Sequence, residues 1–157
     1  VDTVTLDGRT YRFDRAVRED VPALVALLRD DVLGTGREAA DLAPYDAAFG
    51  LVDADPAHHL LAVRDEDGQV VGTLQASVIP GLSRGGASRL QIEAVRVSSS
   101  MRGTGLGRAM FAWAHAWGRT RGAILAQLTT DASRTEAQRF YERLGYEASH
   151  IGMKRPL

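Results

Sequence analysis

The sequence predicts an α/β domain whose sheet is covered by helices on both faces. Stretches with the apolar alternation of strands interleave along the chain with stretches of helical period. Turn signals such as DEDG and the glycine-rich Pro80–Gly86 separate them. Strands and helices mixed in this way form layered α/β folds. The 157 residues, 45% hydrophobic and 25% charged, fit a single domain over 1–157.

Tyr11 to Val17 alternates and reads as a first strand. Glu19 and Asp20 then mark a helix start, with Pro22 in the first turn, where a missing N–H is harmless. Val21, Leu24, Val25 and Leu28 form the apolar stripe of that helix, which ends before Gly34. A loop, GTGREAADLAP, leads to a second helix with Tyr45, Ala48, Phe49 and Val52 on one face. Leu60–Arg64 and Val70–Ile79 are strands joined across an Asp-Gly hairpin signal. Arg89–Val97 is the next strand. A helix from about Leu106 to Arg121, striped by Leu106, Met110, Trp113 and Trp117, follows a polar glycine-rich loop. Ala123–Leu128 reads as a buried strand. Ser133 and Glu136 have the spacing of a capping box opening a helix with Ala137, Phe140, Tyr141 and Leu144 inward. Gly145 stops it, and the chain from Tyr146 alternates as a closing strand.

Composition removes several function classes. With no Cys there is no disulfide, thiolate zinc site, iron–sulfur cluster or cysteine nucleophile, and the balance tilts towards a reducing cytoplasm. The uncharged apolar run Ala109–Gly118 is far shorter than the roughly 18–20 residues of a spanning helix. The opening VDTVTLDGRT lacks a secretion signal's basic end and apolar middle, so neither a leader nor a membrane is expected. The net charge of -1 conceals an asymmetry: residues 1–67 hold 7 Arg against 15 Asp+Glu, and residues 68–157 hold 11 Arg and 1 Lys against 5 Asp+Glu. A basic half inside a neutral chain points to a local anionic partner rather than a nucleic-acid coat, and no aromatic RNA platform accompanies it.

The anion has an obvious place. Arg102-Gly103-Thr104-Gly105-Leu106-Gly107 lies between a strand and a helix. Alternate glycines leave the backbone open, and the first N–H groups of a helix have no internal partner. The helix dipole, Arg102 and Arg108 add positive potential. A nucleotide P-loop needs GxxxxGK[ST] and finds no Lys here. The dinucleotide fingerprint GxGxxG fails because Arg108 stands where its third glycine belongs.

The pattern [QR]xxGx[GA] after a Val-x-Val strand end does fit. With VRVSSSMRGTGLGRAM, and FYERLGY at Phe140–Tyr146 in the expected order, the chain resembles the GNAT acetyltransferase superfamily over essentially its whole length. The resemblance implies a mixed, mostly antiparallel central sheet with helices on both faces, and acetyl-CoA as acyl donor. It implies that backbone groups of Val95 and Val97 hold the pantetheine arm. The N–H groups of Arg102, Gly103, Thr104, Gly105, Leu106, Gly107 and Arg108 would hold the pyrophosphate. Many members carry Asn seven residues before the tyrosine; here that position is Arg134, which puts one pantetheine contact in doubt and leaves Arg134 to reach a cofactor phosphate instead.

Acyl transfer to an amine needs a neutral amine and an exit for the thiolate. An alkyl amine titrates near about 10, so a base or water path must take its proton. Glu93, an acid in the apolar run IEAV, is the candidate base if burial raises its pKa. A structural carboxylate paired with Arg89 or Arg96 is the competing reading. Tyr141 occupies the family's catalytic tyrosine position and could protonate the departing thiolate, or it is a core tyrosine beside Phe140. Without Cys, direct transfer in a ternary complex is expected. The acceptor is then a primary amine, on a small molecule or an exposed protein side chain, and Arg37, Arg84 and Arg89 hint at an acidic group on it. The alternative is an acyl-CoA-sensing module without turnover. A homodimer is possible.

Two decoys remain. Gly81-Leu82-Ser83-Arg84-Gly85 matches GxSxG, and Asp131 and His150 follow in hydrolase order, but Pro80 and the second glycine spoil a nucleophile elbow. His58 and His59 lack metal-ligand spacing and read as surface residues, so no metal is expected.

Overall fold

A computed structural model describes residues 2–31 and 34–157. Strands β1 (Asp2–Leu6), β2 (Arg9–Arg15), β3 (His58–Arg64), β4 (Val70–Ile79), β5 (Ser88–Val97) and β6 (Ala123–Gln127) form one sheet in chain order. The first five are antiparallel to their neighbours, and β5 and β6 run parallel. Helices α1 (Val21–Arg29) and α2 (Ala43–Ala54) precede β3, a one-turn segment α3 (Ser83–Gly86) precedes β5, α4 (Leu106–Thr120) links β5 to β6, and α5 (Thr135–Arg143) follows. The mixed, mostly antiparallel sheet with helices on both faces is therefore observed.

The two faces bury different stripes. Leu106, Met110, Phe111, Ala114 and Trp117 of α4 pack on Tyr11, Phe13, Leu61, Val63, Leu74, Leu90 and Ile92. On the other face Val21, Leu24 and Val25 of α1 and Phe49 of α2 cover Ala16 and Ala62. The α4 helix lies close to the sheet at Gly118, where a Cβ would stand 2.9 Å from the Leu90 side chain. A largely buried ion-pair cluster ties the α1 side together: Arg64 donates to both carboxylate oxygens of Asp20 at 2.7 and 2.8 Å and to Asp14 at 3.1 Å. Asp20 in turn accepts from the Val17 N–H at 2.9 Å, holding the turn into α1.

Three local expectations are corrected. A strand precedes Tyr11: β1 pairs with β2 through Asp7 and Gly8, both at positive φ (49° and 78°), and Val4 and Leu6 lean on the core. The closing strand does not form; Tyr146 packs on the core, but residues 147–157 are exposed and unpaired with the sheet. The capping box is absent as well. Ser133 turns its hydroxyl to Asp131 at 2.6 Å, in a local Asx turn, and α5 starts after Arg134 with no side-chain cap. Gly145 ends that helix region at φ 91°, as expected. Two smaller differences concern β6, where Ile124 is 72% exposed rather than buried, and α1, which ends at Arg29; Val32 and Leu33 lie outside the described residues.

Candidate active site

The site begins with a defect in β5. Gln75 pairs with Glu93 and Thr73 with Arg96, so one residue of β4, Leu74, faces two of β5. The extra residue is absorbed at Ala94, which adopts φ 53°, a left-handed conformation rare for a side chain with a Cβ. The bulge has a consequence for side chains. Glu93 and Arg96, three apart in sequence, would face opposite sides of a regular strand; here they oppose residues two apart on β4 and share one face. Val95 and Val97 turn to the other face and pack on the core.

The neighbouring strand leaves at the same level. The parallel pairing of β5 with β6 stops at Gln91 and Gln127, whose side chains meet at 2.6 Å. Beyond it, among the described residues, no strand pairs with that edge of β5 up to Val97. An unpaired edge can accept an extended amide-bearing chain as a further strand.

That edge runs into the glycine loop. After a turn at Ser99–Met101, Gly103 and Gly105 take φ 79° and 86°, and Gly105 caps α4. A Cβ at either glycine would meet nothing within 4 Å, so conformation rather than space selects them. The first backbone bond of α4 runs from Ala109 N–H to Gly105 C=O. The N–H groups of Gly105, Gly107 and Arg108 have no backbone acceptor among the described residues. No acid stands in the first turn of α4, and Arg102 and Arg108 are exposed beside it. Thr104 points its hydroxyl back to the Met101 carbonyl at 2.7 Å, and Leu106 is buried as the first core residue of α4. The loop therefore presents unpaired donors, two guanidiniums and no competing carboxylate: the donor set of an anion site.

Helix α5 closes the third side. Phe140 lies 3.4 Å from the position a Cβ would take on Gly107, and Val97 3.9 Å from it, so loop, strand edge and α5 converge there. The Tyr141 ring packs on Phe111, Phe140 and Tyr146 with centroids 5.6–6.2 Å apart. Its hydroxyl has no hydrogen-bond partner among the described residues and is not sealed from solvent. Burial pushes this phenol above its ordinary pKa, opposed by the charges of Arg134 and Arg96, so it carries its proton at neutral pH. Tyr146 is satisfied instead by His115 at 2.7 Å.

Glu93 departs from expectation. It is exposed rather than buried, and pairs with neither Arg89 nor Arg96. Arg96 goes elsewhere, bonding the Val95 carbonyl at 2.8 Å and the Asp31 carboxylate at 3.2 Å. Arg134 reaches the same Asp31 oxygen, also at 3.2 Å. Asp31, at the end of the α1 segment, carried no sequence signal; only the fold brings it to β5 and α5. Of the arginines read as hints, Arg37 lies within electrostatic range of Arg96, whereas Arg84 is exposed on α3 and Arg89 stands beside Gly81.

The decoys separate. Asp131 is held by Ser133, and His150 bonds Ser149 at 2.8 Å, so neither serves Ser83. His59 is not a surface residue: it packs against Trp113 and Trp117 at 4.8 and 5.7 Å, beside a groove of about 520 Å³ at the far end of α4 from the glycine loop. Among the described residues no group of three or more His, Asp or Glu is placed to hold a metal, and no helix is long and apolar enough to cross a membrane.

Comparison with known proteins agrees with this geometry. Residues 21–146 match the family described as the acetyltransferase (GNAT) family. An aminoalkylphosphonate N-acetyltransferase of Salmonella typhimurium is 31% identical over 143 residues, covering 90% of this chain and 88% of its own. A solved structure described as a transcriptional regulator from Bacillus halodurans is 37% identical, covers 94% of this chain and 99% of its own, and superposes with a TM-score of 0.89. A putative acetyltransferase from Agrobacterium tumefaciens, 23% identical over 93% of this chain and 99% of its own, shares the fold with a TM-score of 0.81. By these matches the chain is an N-acyltransferase and belongs to the acetyltransferase (GNAT) family.

Proposed function

We propose that this chain transfers the acetyl group of acetyl-CoA directly to the primary amine of a small molecule. The observation that carries the reading is continuity: the unpaired N–H groups at the start of α4 lead without a break into the uncovered edge of β5. A pyrophosphate fits the first and an amide-bearing pantetheine arm the second, with Val95 and Val97 supplying backbone partners. Arg102 and Arg108 add charge at the pyrophosphate, and Gly103, Thr104, Gly105, Leu106 and Gly107 form the loop that carries the donors. The related enzyme named for an aminoalkylphosphonate supports a small amine as acceptor. The lack of Cys favours a reducing, cytoplasmic setting.

The chemistry follows from what the residues can do. The neutral amine nitrogen attacks the thioester carbonyl carbon, the tetrahedral adduct collapses, and the carbon–sulfur bond breaks. Tyr141, protonated at neutral pH, donates its proton to the departing thiolate. Glu93, exposed and without a partner among the described residues, takes the amine proton directly or through water. No residue forms a covalent intermediate, and the products are the amide and CoA thiol.

A thiol-release assay across an amine panel tests this reading. Wild type should release CoA with at least one small primary amine. Tyr141→Phe should keep its melting temperature and acetyl-CoA affinity while kcat and kcat/KM fall together. Turnover within about twofold of wild type, less than ~0.5 kcal/mol of barrier, would return Tyr141 to a packing role. Acetyl-CoA binding without CoA release from any amine would make the chain an acyl-CoA-responsive binding module instead.

A further inference from the structure

We infer that Asp31 is a positioning residue for the transfer step: by holding Arg96 and Arg134 on one carboxylate oxygen, it fixes α5, and Tyr141 with it, across the uncovered edge of β5. The inference rests on the acyl-transfer reading above and adds the group that sets its geometry. Arg96 of β5 and Arg134, the residue before α5, both stand 3.2 Å from Asp31 Oδ2. Asp31 follows the end of α1. Its carbonyl is held in turn by Thr35, which donates its N–H at 3.0 Å and its hydroxyl at 3.1 Å. The carboxylate is therefore offered from a fixed backbone.

Helix α5 needs such an anchor, because none of its own residues is fully buried. On one face of the sheet Phe140 and Tyr141 pack on Phe111 of α4. On the other face, where α1 lies, Arg134 reaches Asp31. The helix is thus pinned from both sides of the strand edge proposed for the pantetheine arm. Other side-chain hydrogen bonds described at the start of α5 are local: Asp131 accepts from Ser133, and Gln138 donates to the carbonyls of Asp131 and Ala132.

The clasp reaches both sides of the proposed chemistry. The side chains of Arg96 and Asp31 are 14% and 15% exposed, so solvent and salt screen their contact little. Arg96 also donates to the Val95 carbonyl at 2.8 Å, which keeps a second lone pair for the donor's amide. The charges of Arg134 and Arg96 both reach the Tyr141 hydroxyl, so Asp31 acts on the proposed proton donor through the groups it holds. Arg37 and Asp131 also face this place: Arg37 acts on Arg96 and on Asp131, and Arg134 acts on Asp131 as well. Asp131 is exposed and bonded to Ser133, which leaves Asp31 as the buried carboxylate between β5 and α5.

The test compares wild type with Asp31→Asn, which removes the charge and keeps the shape, and with Arg134→Gln. The second position is 37% exposed, so its loss spares the core and carries the comparison should Asp31→Asn fail to fold. Hydrogen exchange read by mass spectrometry needs no turnover: peptides spanning α5 should exchange about tenfold faster in the variants, with those of β4 unchanged. Equal α5 exchange in wild type and variants overturns the inference. With an amine that wild type acetylates, kcat should fall about tenfold to hundredfold while acetyl-CoA affinity stays within about threefold. A loss carried by acetyl-CoA affinity overturns the inference, because it assigns Arg134 to the donor's phosphates. In a Tyr141→Phe background either change should slow kcat no further; equal slowing with and without the Tyr141 hydroxyl means a merely structural contact and overturns it. Faster α5 exchange in the variants, with no amine acetylated by wild type, keeps the anchor and refutes the acyl-transfer reading.

Discussion

Gly105 allows binding to be separated from folding. Its φ of 86° is left-handed, and a Cβ there would touch nothing within 4 Å. Gly105→Ala and Gly105→Asp therefore share a backbone cost of about 1–2 kcal/mol and no steric one. Asp tolerates this conformation better than Ala, and its charge at the start of α4 recovers about 0.3–1 kcal/mol from the helix dipole. Without ligand, the Asp variant should melt at or above the Ala variant. With acetyl-CoA the order should reverse. A carboxylate placed about 4 Å from a pyrophosphate oxygen costs about 4 kcal/mol at an effective dielectric of 20, close to a thousandfold in affinity. At one hundred times its dissociation constant acetyl-CoA stabilises the fold by about 2.7 kcal/mol, or roughly 5–10 °C in a domain of this size. That shift should persist in large part in Gly105→Ala and vanish in Gly105→Asp. Equal shifts in both variants would remove the loop from the binding site. An Asp variant far less stable than the Ala variant without ligand would refute the open geometry at Gly105.

Three further outcomes follow from the same structure. Glu93→Gln should lower kcat/KM by about 10²–10⁴ at pH 7, with the deficit shrinking as rising pH supplies neutral amine; pH–rate profiles parallel to wild type across pH 6–10 would remove Glu93 from proton transfer. Asp20→Ala should cost roughly 1–3 kcal/mol in denaturant unfolding, because Arg64 is left with Asp14 alone and the Val17 N–H loses its acceptor; a loss below about 0.5 kcal/mol would make the pair a surface contact. His59, lowered to about 4 by burial and by Arg15 and Arg121, should make stability fall with acid. Its folded pKa lies below the unfolded value of 6.5, so the unfolded chain takes up the proton first, and stability present above pH 6.5 is lost as pH falls through about 4. His59→Phe should flatten that decline, and an unchanged slope would contradict the assignment.

The sequence was informative where a local rule operates. Period-two and helical stripes located β2 to β6 and the four longer helices, because burial on one face imposes those periods. The glycine loop was legible because positive φ at Gly103 and Gly105 leaves few alternatives to glycine. β1 was missed because an edge strand with only Val4 and Leu6 against the core shows little apolar patterning. The capping box failed because Asp131, two residues upstream, competes for the Ser133 hydroxyl. The site was harder. The burial expected of Glu93 assumed a regular strand, and the bulge at Ala94 changes which face each residue meets. The meeting of Asp31, Arg96 and Arg134 joins positions 103 residues apart in the chain, and no local pattern encodes it.

The central claim is direct transfer between two substrates held together on this chain. Initial rates of CoA release, measured over a grid of acetyl-CoA and amine concentrations, test it most directly. The account predicts double-reciprocal lines that intersect, with an unmodified protein mass after incubation with acetyl-CoA alone. Parallel lines accompanied by a protein heavier by one acetyl group would mean a covalent intermediate and contradict it.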